Sequence, residues 1–260
     1  GQCLAGDFFN EVPQGAKYDP DLHALTDVLL VGTNGVALLQ RTGPASFTNV
    51  TARAGLANVA GSRARWLDYD HDGDLDLALA SISGLQLWQN NGNATFTNVT
   101  QSIGLEALPA VDLATADLDR NVAMDLVTAC GGQPTRVFVN QRAGRFAPLP
   151  EPPGPWPAAR RVLTDDLDND GNPDAVLLAE AELLILFGRR AERTRLEVTA
   201  LREPVAALLD FDNDGGLDLC AAGERKGEAG KGAVRLWRNN GRGAWDDATD
   251  HMLAHTMHYG

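Results

Sequence analysis

The sequence is poor in basic residues, in cysteines and in long hydrophobic runs. It has 22 Lys and Arg against 35 Asp and Glu, for a formal net charge of −13. Nucleic-acid binding requires a basic surface, so this class of partner is excluded. The most apolar run, 175–188, is interrupted by Glu180 and Glu182, and no membrane-spanning segment is predicted.

Cysteine is also scarce, with three residues at Cys3, Cys130 and Cys220. An odd number without C-x₂-C spacing argues against a disulfide framework and against a cysteine-based zinc site. Cys130 and Cys220 are therefore predicted to be small buried residues on strands.

Aspartate is abundant, and its spacing in the segment 68–76 is that of a calcium loop. Carboxylates stand at positions 1, 3, 5 and 9, and a glycine stands at position 6: Asp68, Asp70, Asp72, Asp76 and Gly73. Ca²⁺ takes six to eight oxygen ligands, and alternating Asp residues on a tight turn supply several of them. Position 7, Asp74, is expected to contribute its backbone carbonyl.

Two other interpretations of this segment were weighed. An EF-hand begins in the same way, but it requires Glu at position 12, where this chain has Leu79. The residues after the loop alternate as in a strand, whereas an EF-hand continues into a helix. A solvated acidic turn is the second alternative, although four close carboxylates repel one another unless a cation lies among them.

The loop recurs with a period of 49 residues, and once after 44. We number the loops along the chain: loop 1 is 19–27, loop 2 is 68–76, loop 3 is 117–125, loop 4 is 166–174 and loop 5 is 210–218. Loops 2, 4 and 5 are complete. Loop 4 has Asp166, Asp168, Asp170, Asn172 and Asp174, and loop 5 has Asp210, Asp212, Asp214, Gly216 and Asp218 at positions 1, 3, 5, 7 and 9. The sequence predicts three calcium sites in these loops.

Loops 1 and 3 are degenerate, and we expect them to bind Ca²⁺ weakly or not at all. Loop 3 keeps Asp117, Asp119, Asn121, Ala123 and Asp125, but Val122 replaces the glycine. Loop 1 keeps Asp19, Asp21, His23 and Asp27, with Ala24 at the glycine position. At most five sites are expected, and five Ca²⁺ ions would reduce the net charge to about −3. Most of the net negative charge is therefore attributed to the calcium loops.

Other motifs share the same register. The run 47–51, Phe-Thr-Asn-Val-Thr, recurs at 96–100, and the Leu-Trp-x-Asn-Asn-Gly of 87–92 recurs at 236–241. The unit 63–100 reads as four short strands, at 63–67, 75–81, 85–89 and 95–100, with an Asn-Gly hairpin signal before the last. A period of 40 to 50 residues with four strands per unit predicts an all-β fold, a β-propeller of four-stranded blades with about five repeats.

These motifs together resemble the FG-GAP/VCBS repeat family, closest to its bacterial and cartilage-acidic-protein-like branch. The resemblance implies an integrin-α-like propeller with Ca²⁺ on the loops between the first two strands of each blade. It also implies a secreted, periplasmic or cell-surface protein that serves in adhesion, ligand binding or assembly and is not catalytic. The family commonly has seven blades, so blade count and closure stay open.

Residues 17–250 are assigned to the repeats. The segment 1–16 is expected to hold the last strand of a preceding blade, and 251–260 is expected to be a C-terminal tail. The tail carries His251, His255 and His258, which form either a metal cluster or, as we prefer, scattered residues of a frayed terminus. The variable segments 148–157 and 223–232 are the best candidates for partner-binding loops.

The function predicted from the sequence is a calcium-stabilised module that binds another protein outside the cytosol, with a peripheral subunit of an envelope complex as one specific form. A Ca²⁺-dependent enzyme that acts on acidic polysaccharide is an alternative, although the sequence shows no Ser/His/Asp catalytic set. A glycan-binding module is another, in which tryptophans stack on sugar rings. The four candidates are Trp66, Trp88, Trp237 and Trp245, and their repeat-equivalent positions favour a role in the blade core.

Overall fold

The computed structural model describes residues 2–6, 27–43, 45–93, 95–105, 108–142, 144–149, 156–186 and 193–250. Within these ranges the strands form five four-stranded antiparallel sheets, each with its strands in sequence order. The all-β prediction and the four-strand repeat are confirmed, and the repeated sheets fit a propeller-like fold. No helix in the described part of the chain is long and apolar enough to cross a membrane.

Sheet 1 contains β1 (Gln2–Gly6), β2 (Asp27–Gly32), β3 (Gly35–Gly43) and β4 (Ser46–Asn49). Sheet 2 contains β5 (Arg63–Leu67), β6 (Asp76–Ala80), β7 (Gln86–Asn90) and β8 (Phe96–Asn98). Sheet 3 contains β9 (Asp112–Ala116), β10 (Asp125–Cys130), β11 (Gln133–Asn140) and β12 (Phe146–Pro148). Sheet 4 contains β13 (Arg161–Asp165), β14 (Asp174–Leu178), β15 (Glu182–Leu186) and β16 (Arg193–Glu197). Sheet 5 contains β17 (Leu201–Leu209), β18 (Asp218–Arg225), β19 (Gly232–Asn239) and β20 (Trp245–Asp247).

The chain divides into two units. The first unit comprises Gly1–Thr115, Asn121–Gly131 and Arg136–Leu149, and the second comprises Ala116–Arg120, Gly132–Thr135 and Pro150–Gly260. Sheets 1 and 2 and most of sheet 3 lie in the first unit, and sheets 4 and 5 lie in the second.

In the first unit, both faces of β6 are covered, and all five of its residues are buried. Successive side chains of a strand point to opposite faces. Leu77 and Leu79 accordingly join the hydrophobic cluster shared with sheet 1. Ala78 and Ala80 join the cluster shared with sheet 3. This two-sided burial explains why the strand is apolar at four of its five positions.

In the second unit, sheets 4 and 5 share one hydrophobic cluster. It includes Leu167, Val176 and Ile185 from the sheet 4 side and Leu219 and Trp237 from sheet 5. The remaining three candidate tryptophans, Trp66, Trp88 and Trp245, are partly buried and also pack against the cores. The core role predicted for these side chains is confirmed.

The Phe-Thr-Asn-Val-Thr motif fastens the fourth strand of a sheet to its third. The buried Oγ1 of Thr100 accepts a hydrogen bond from Leu87 N at 2.9 Å. Asn98 Oδ1 in turn accepts from Thr100 N at 3.1 Å and from its hydroxyl at 2.8 Å. Thr51 and Thr249 make the same bond to residues 38 and 236. In each of these sheets, the threonine after the fourth strand is thus hydrogen-bonded to the third strand.

Residues 2–6 form β1, which pairs with β2 through Gly6 and Asp27 in sheet 1. Residues 7–16, the rest of the segment expected to hold the last strand of a preceding blade, lie outside the described residues. The segment 223–232, a candidate partner-binding loop, begins inside β18, and its turn carries the 2.8 Å ion pair of Lys231 with Glu228.

The cysteines follow their local strands. Cys130 on β10 is buried, Cys220 on β18 is half-buried, and Cys3 on β1 is exposed. None of the three forms a disulfide. The prediction of a buried residue on a strand is confirmed for Cys130, whereas Cys220 lies on a strand but is only half-buried.

Candidate metal centres

Loops 2, 4 and 5 occupy the same place in their sheets. Each follows the first strand of the sheet and ends at the first residue of the second strand, which is position 9 of the loop. The strand pairs are β5–β6, β13–β14 and β17–β18, and in each pair the last residue of the first strand faces the position 9 aspartate. The fold therefore presents the loops as repeats of one geometry.

Carboxylates at positions 1, 3 and 9 converge in these three loops. In each, one ligand atom from each of the three side chains lies within 4.8 Å of the other two. The groups are Asp68, Asp70 and Asp76; Asp166, Asp168 and Asp174; and Asp210, Asp212 and Asp218. Three carboxylates at this separation repel one another, and a divalent cation among them would remove the repulsion.

Position 1 organises the turn of the loop. Asp68 accepts hydrogen bonds from Asp72 N and Gly73 N, both at 3.2 Å. Asp166 and Asp210 accept the corresponding pair at 2.8–3.1 Å. Because the backbone N–H groups of positions 5 and 6 are held by position 1, the loop is already folded around the carboxylate group.

Position 5 is turned toward its own backbone. Asp72 Oδ1 accepts from Asp74 N at 2.9 Å, and Asp170 and Asp214 accept from Asn172 N and Gly216 N at 2.8 Å. The converging groups do not include these three carboxylates. Their role as ligands, and that of the position 7 carbonyls, stays a prediction.

Position 9 is buried and tied to two parts of the sheet. Asp76 is 0% exposed, and its oxygens accept from Tyr69 N at 3.1 Å and from Asn90 N at 2.8 Å. Asp218 makes the same two bonds, with Phe211 N and Asn239 N. Asp174 accepts from Leu167 N at 2.9 Å. This side chain therefore connects the loop to the core as well as facing the other carboxylates.

Burial and crowding raise the pKa of several of these carboxyl groups. Burial raises the pKa of Asp76 to about 7; its two backbone hydrogen bonds oppose the rise, and Asp70 and Asp72 add to it. Burial also raises the pKa of Asp174 to about 7, with a contribution from its three loop carboxylates. The pKa of Asp70 and that of Asp218 are raised for the same main reason. A bound cation would reverse this effect.

One buried carboxylate oxygen of loop 2 is available to coordinate a metal ion. Oδ2 of Asp70 accepts from Gln89 Nε2 at 2.7 Å. Its Oδ1 is buried, and among the described residues it has no hydrogen-bond partner. An unpaired buried oxygen is costly, and a hard cation that prefers oxygen ligands would satisfy it. The donor set of loop 2 therefore fits Ca²⁺.

The loops also use left-handed backbone conformations at two positions. Gly73, Gly171 and Gly215 at position 6 have φ of 80–90°, as predicted. Position 4 is left-handed as well, with φ of 63° at His71, 55° at Asn169 and 61° at Asn213. Sequence analysis missed position 4, although Asn in two of the three loops is a signal for this conformation.

The degenerate loops are described only in part. Asp19, Asp21 and His23 of loop 1 lie outside the described residues. Asp27 begins β2, is buried, and accepts from Arg41 N of β3 at 2.8 Å, as Asp76 and Asp218 accept from their third strands. In loop 3, Asp125 is buried and accepts from Asn140 N at 2.7 Å.

The remaining residues of loop 3 keep part of the geometry of the complete loops. Asn121 Oδ1 accepts from Ala123 N at 2.8 Å, the bond that position 5 makes in the complete loops. Asp117 and Asp119 belong to the second unit, whereas Asp125 belongs to the first. The backbone of loop 3 is left-handed at position 6 even though a valine stands there.

Val122→Gly is expected to stabilise the protein by about 1 kcal/mol. Val122 has φ of 73°, which costs a β-branched residue roughly 1–2 kcal/mol, and glycine removes this strain at a smaller entropic cost. Its side chain is 71% exposed, so little packing is lost. Urea unfolding at equal calcium concentration measures the change.

Gly73→Ala is the matched control for Val122→Gly. A Cβ at Gly73 meets nothing within 4 Å, and its φ is 90°, so only backbone strain is added. We expect a loss of roughly 1–2 kcal/mol. Two variants that shift stability in the same direction would contradict this account.

The Asn-Asn-Gly motif has a role that sequence analysis missed. Its first asparagine is buried in sheets 2 and 5, at Asn90 and Asn239, and Asn140 takes the equivalent place in sheet 3, where Gln and Arg follow it; the three exposures are 0–2%. Each Oδ1 accepts from the residue two positions on, as in a hairpin cap. Each backbone N–H donates to the position 9 aspartate of its own sheet. Two of the side-chain amides, those of Asn140 and Asn239, also reach the loop of the preceding sheet, at Tyr69 O and Leu167 O.

Comparison with known families supports the repeat assignment. A family model described as an FG-GAP-like repeat matches residues 68–128, from loop 2 into β10. This confirms the predicted resemblance to FG-GAP/VCBS repeats over that stretch. No curated protein matches the chain.

Solved structures share the fold at low identity. A lectin of Agrocybe aegerita that recognises non-reducing terminal N-acetylglucosamine is 18% identical with a TM-score of 0.56, over 85% of this chain and 62% of the lectin. The V. cholerae biofilm matrix protein Bap1 is 13% identical with a TM-score of 0.56, over 92% of this chain and 38% of that protein. The chain spans less than two thirds of either protein, and the likeness shows the fold alone.

Proposed function

We propose that the chain is a calcium-stabilised, non-catalytic β-propeller module that binds another protein outside the cytosol. The observation that carries the proposal is the threefold repetition of one loop geometry, in which carboxylates at positions 1, 3 and 9 converge within 4.8 Å. The shared hydrogen-bond pattern presents the same set of carboxylate oxygens in three sheets. Carboxylates this close repel one another, and a bound cation in each loop would offset that repulsion.

The ligands proposed for each ion are the side chains of positions 1, 3, 5 and 9 and the backbone carbonyl of position 7. In loop 2 these are Asp68, Asp70, Asp72, Asp76 and Asp74 in the order given. Loops 4 and 5 use Asp166, Asp168, Asp170, Asp174 and Asn172, and Asp210, Asp212, Asp214, Asp218 and Gly216. Bound Ca²⁺ supplies positive charge that removes the repulsion among these groups and ties the first strand of each sheet to the second.

The proposed location outside the cytosol follows from calcium supply. Sites in extracellular modules bind Ca²⁺ with dissociation constants of about 10⁻⁴ to 10⁻³ M. Such sites are filled only where free calcium reaches that range. An extracellular, cell-surface or periplasmic location meets this condition.

A protein partner is favoured over a glycan by the placement of the aromatic side chains. Glycan binding is the second candidate, because the Agrocybe aegerita lectin with the same fold recognises a sugar. The four tryptophans that could stack on sugar rings all pack against the hydrophobic clusters of this chain. The likeness to the biofilm matrix protein accords with a role in adhesion or assembly, and such a role requires no catalytic residues.

Calcium stoichiometry tests the proposal directly. Protein stripped with EDTA and titrated with Ca²⁺ in a calorimeter is expected to bind three ions, and up to five if loops 1 and 3 also bind. Asp70→Asn, Asp168→Asn and Asp212→Asn, which alter position 3 of one loop each, should each remove one ion. Titration with Mg²⁺ is the control, because Mg²⁺ is smaller, requires octahedral coordination and is expected to bind these loops poorly. Binding of no Ca²⁺ by the folded wild-type protein would refute the proposal.

A further inference from the structure

In each unit, one buried asparagine touches two acidic loops that belong to neighbouring sheets. Asn239 lies at the end of β19 and is 1% exposed. Its backbone N–H donates to Asp218 Oδ1 of loop 5 at 2.8 Å. Its side-chain Nδ2 donates to Leu167 O of loop 4 at 2.5 Å and to Leu217 O of loop 5 at 3.0 Å. A single side chain therefore connects loop 4 with loop 5.

The first unit repeats this arrangement. Asn140 lies at the end of β11 and is 0% exposed. Its backbone N–H donates to Asp125 Oδ1 of loop 3 at 2.7 Å. Its Nδ2 donates to Tyr69 O of loop 2 at 2.8 Å. The same contact therefore occurs in both units. It joins residues 71 apart in sequence in the first unit and 72 apart in the second, so it is a recurring feature of the repeat.

The carbonyl that receives this hydrogen bond belongs to position 2 of the loop, between two of the converging carboxylates. Leu167 stands between Asp166 and Asp168, and its own N–H donates to Asp174 Oδ2 at 2.9 Å. Tyr69 is held in the same way, since its N–H donates to Asp76 Oδ2 at 3.1 Å. Position 2 is thus fixed at its N–H by its own sheet and at its carbonyl by the next sheet. Its φ and ψ decide how far apart the carboxylates of positions 1 and 3 lie.

We propose that Asn239 and Asn140 are positioning residues for calcium in the loop of the preceding sheet, at loop 4 and loop 2 respectively. The inference rests on the proposed function of those loops. Removal of the amide frees the position 2 carbonyl, so positions 1 and 3 lose their fixed separation and the ion is bound less tightly. Each calcium site is then completed only when the next sheet is folded against it.

The test isolates loop 4 and then removes its bridge. Asp70→Asn and Asp212→Asn disable loops 2 and 5, which leaves loop 4 as the one complete loop of this background protein. Asn239→Ala in this background is expected to weaken Ca²⁺ binding at least tenfold by calorimetry. Because loop 5 is already disabled, a change in Ca²⁺ binding is not read at the loop of Asn239's own sheet, and the hairpin control below separates the bridge from the hairpin.

Asn240→Ala is the matched control, because Asn240 lies in the same hairpin and also caps it. Its Oδ1 accepts from Arg242 N at 2.9 Å and Ala244 N at 3.1 Å, but none of its hydrogen bonds reaches loop 4. The control should bind Ca²⁺ within twofold of the background. Circular dichroism and cooperative melting in EDTA show that both variants are folded. Should Asn239→Ala not fold, Asn140→Ala, read at loop 2 with Asp168→Asn and Asp212→Asn in place, makes the same comparison.

The outcomes separate the inference from the function on which it rests. A folded Asn239→Ala variant that binds as tightly as the background overturns the positioning role and leaves the calcium sites intact. Equal weakening by Asn239→Ala and Asn240→Ala also overturns it, because the effect would then come from the hairpin. A background protein that binds no Ca²⁺ contradicts the proposed function, and the inference with it.

Discussion

Calcium at 1 mM is expected to raise the melting temperature of the protein by about 8–16 °C over its value in excess EDTA. A site with a dissociation constant of about 10⁻⁴ M, the tight end of the range for extracellular modules, adds about 1.4 kcal/mol at this concentration. Three such sites add about 4 kcal/mol. For a domain of this size, 1 kcal/mol shifts the melting temperature by roughly 2–4 °C.

The melt needs two controls. Mg²⁺ at 1 mM should shift the melting temperature by a few degrees at most, because it keeps its water shell and demands octahedral geometry. The triple variant Asp70→Asn, Asp168→Asn, Asp212→Asn should melt at nearly the same temperature with and without Ca²⁺. A wild-type melting temperature that ignores Ca²⁺ would mean that the loops act as acidic turns without a resident ion.

The second large effect is a difference in stability between variants of Asp76 and Asp70, two aspartates of loop 2 that both look like metal ligands in the sequence. Asp76→Ala in Ca²⁺ is expected to cost about 4–8 kcal/mol. It removes a ligand and also leaves the N–H groups of Tyr69 and Asn90 without their acceptors. Each buried unpaired N–H costs about 1–3 kcal/mol, and the lost site adds the rest.

Asp70→Asn is the contrast, and its effect is expected to change sign with calcium. In Ca²⁺ it should cost about 1.4 kcal/mol, the contribution of one site. In EDTA it should stabilise the protein by about 1 kcal/mol, a small figure because the loop is partly solvent-screened. Burial and the negative charges of Asp72 and Asp68 raise the pKa of Asp70, so the neutral amide is the better occupant when no cation is present.

Guanidinium unfolding of the wild type and both variants, in 1 mM Ca²⁺ and in EDTA, measures these free energies. Stabilisation by Asp70→Asn in EDTA would establish that the charged carboxylate, buried and close to Asp72 and Asp68, destabilises the metal-free loop. Equal losses for Asp76→Ala and Asp70→Asn in Ca²⁺ would show that position 9 acts as a ligand alone. The hydrogen bonds of Asp76 to the core would then contribute nothing measurable.

Features that depend on local spacing could be predicted without a structure. Carboxylates at every second position and a glycine at position 6 identified loops 2, 4 and 5 and their left-handed turn. The strands of 63–100 were placed within one or two residues, because each is a short apolar segment bounded by turn residues. These patterns could be read without a fold, since the atoms involved lie within about ten residues of one another.

Features that join distant segments could be seen only once the sheets were packed. Position 9 and position 5 look alike in sequence, but Asp76 accepts two backbone N–H groups from the sheet, whereas Asp72 caps its own turn. Asn239 looked like a turn residue, yet its amide reaches Leu167, 72 residues away. The strand that pairs with β2 is formed by residues 2–6, a pairing that the sequence pattern did not indicate. Contacts of this kind depend on which sheet packs against which, and a periodic sequence carries no record of that pairing.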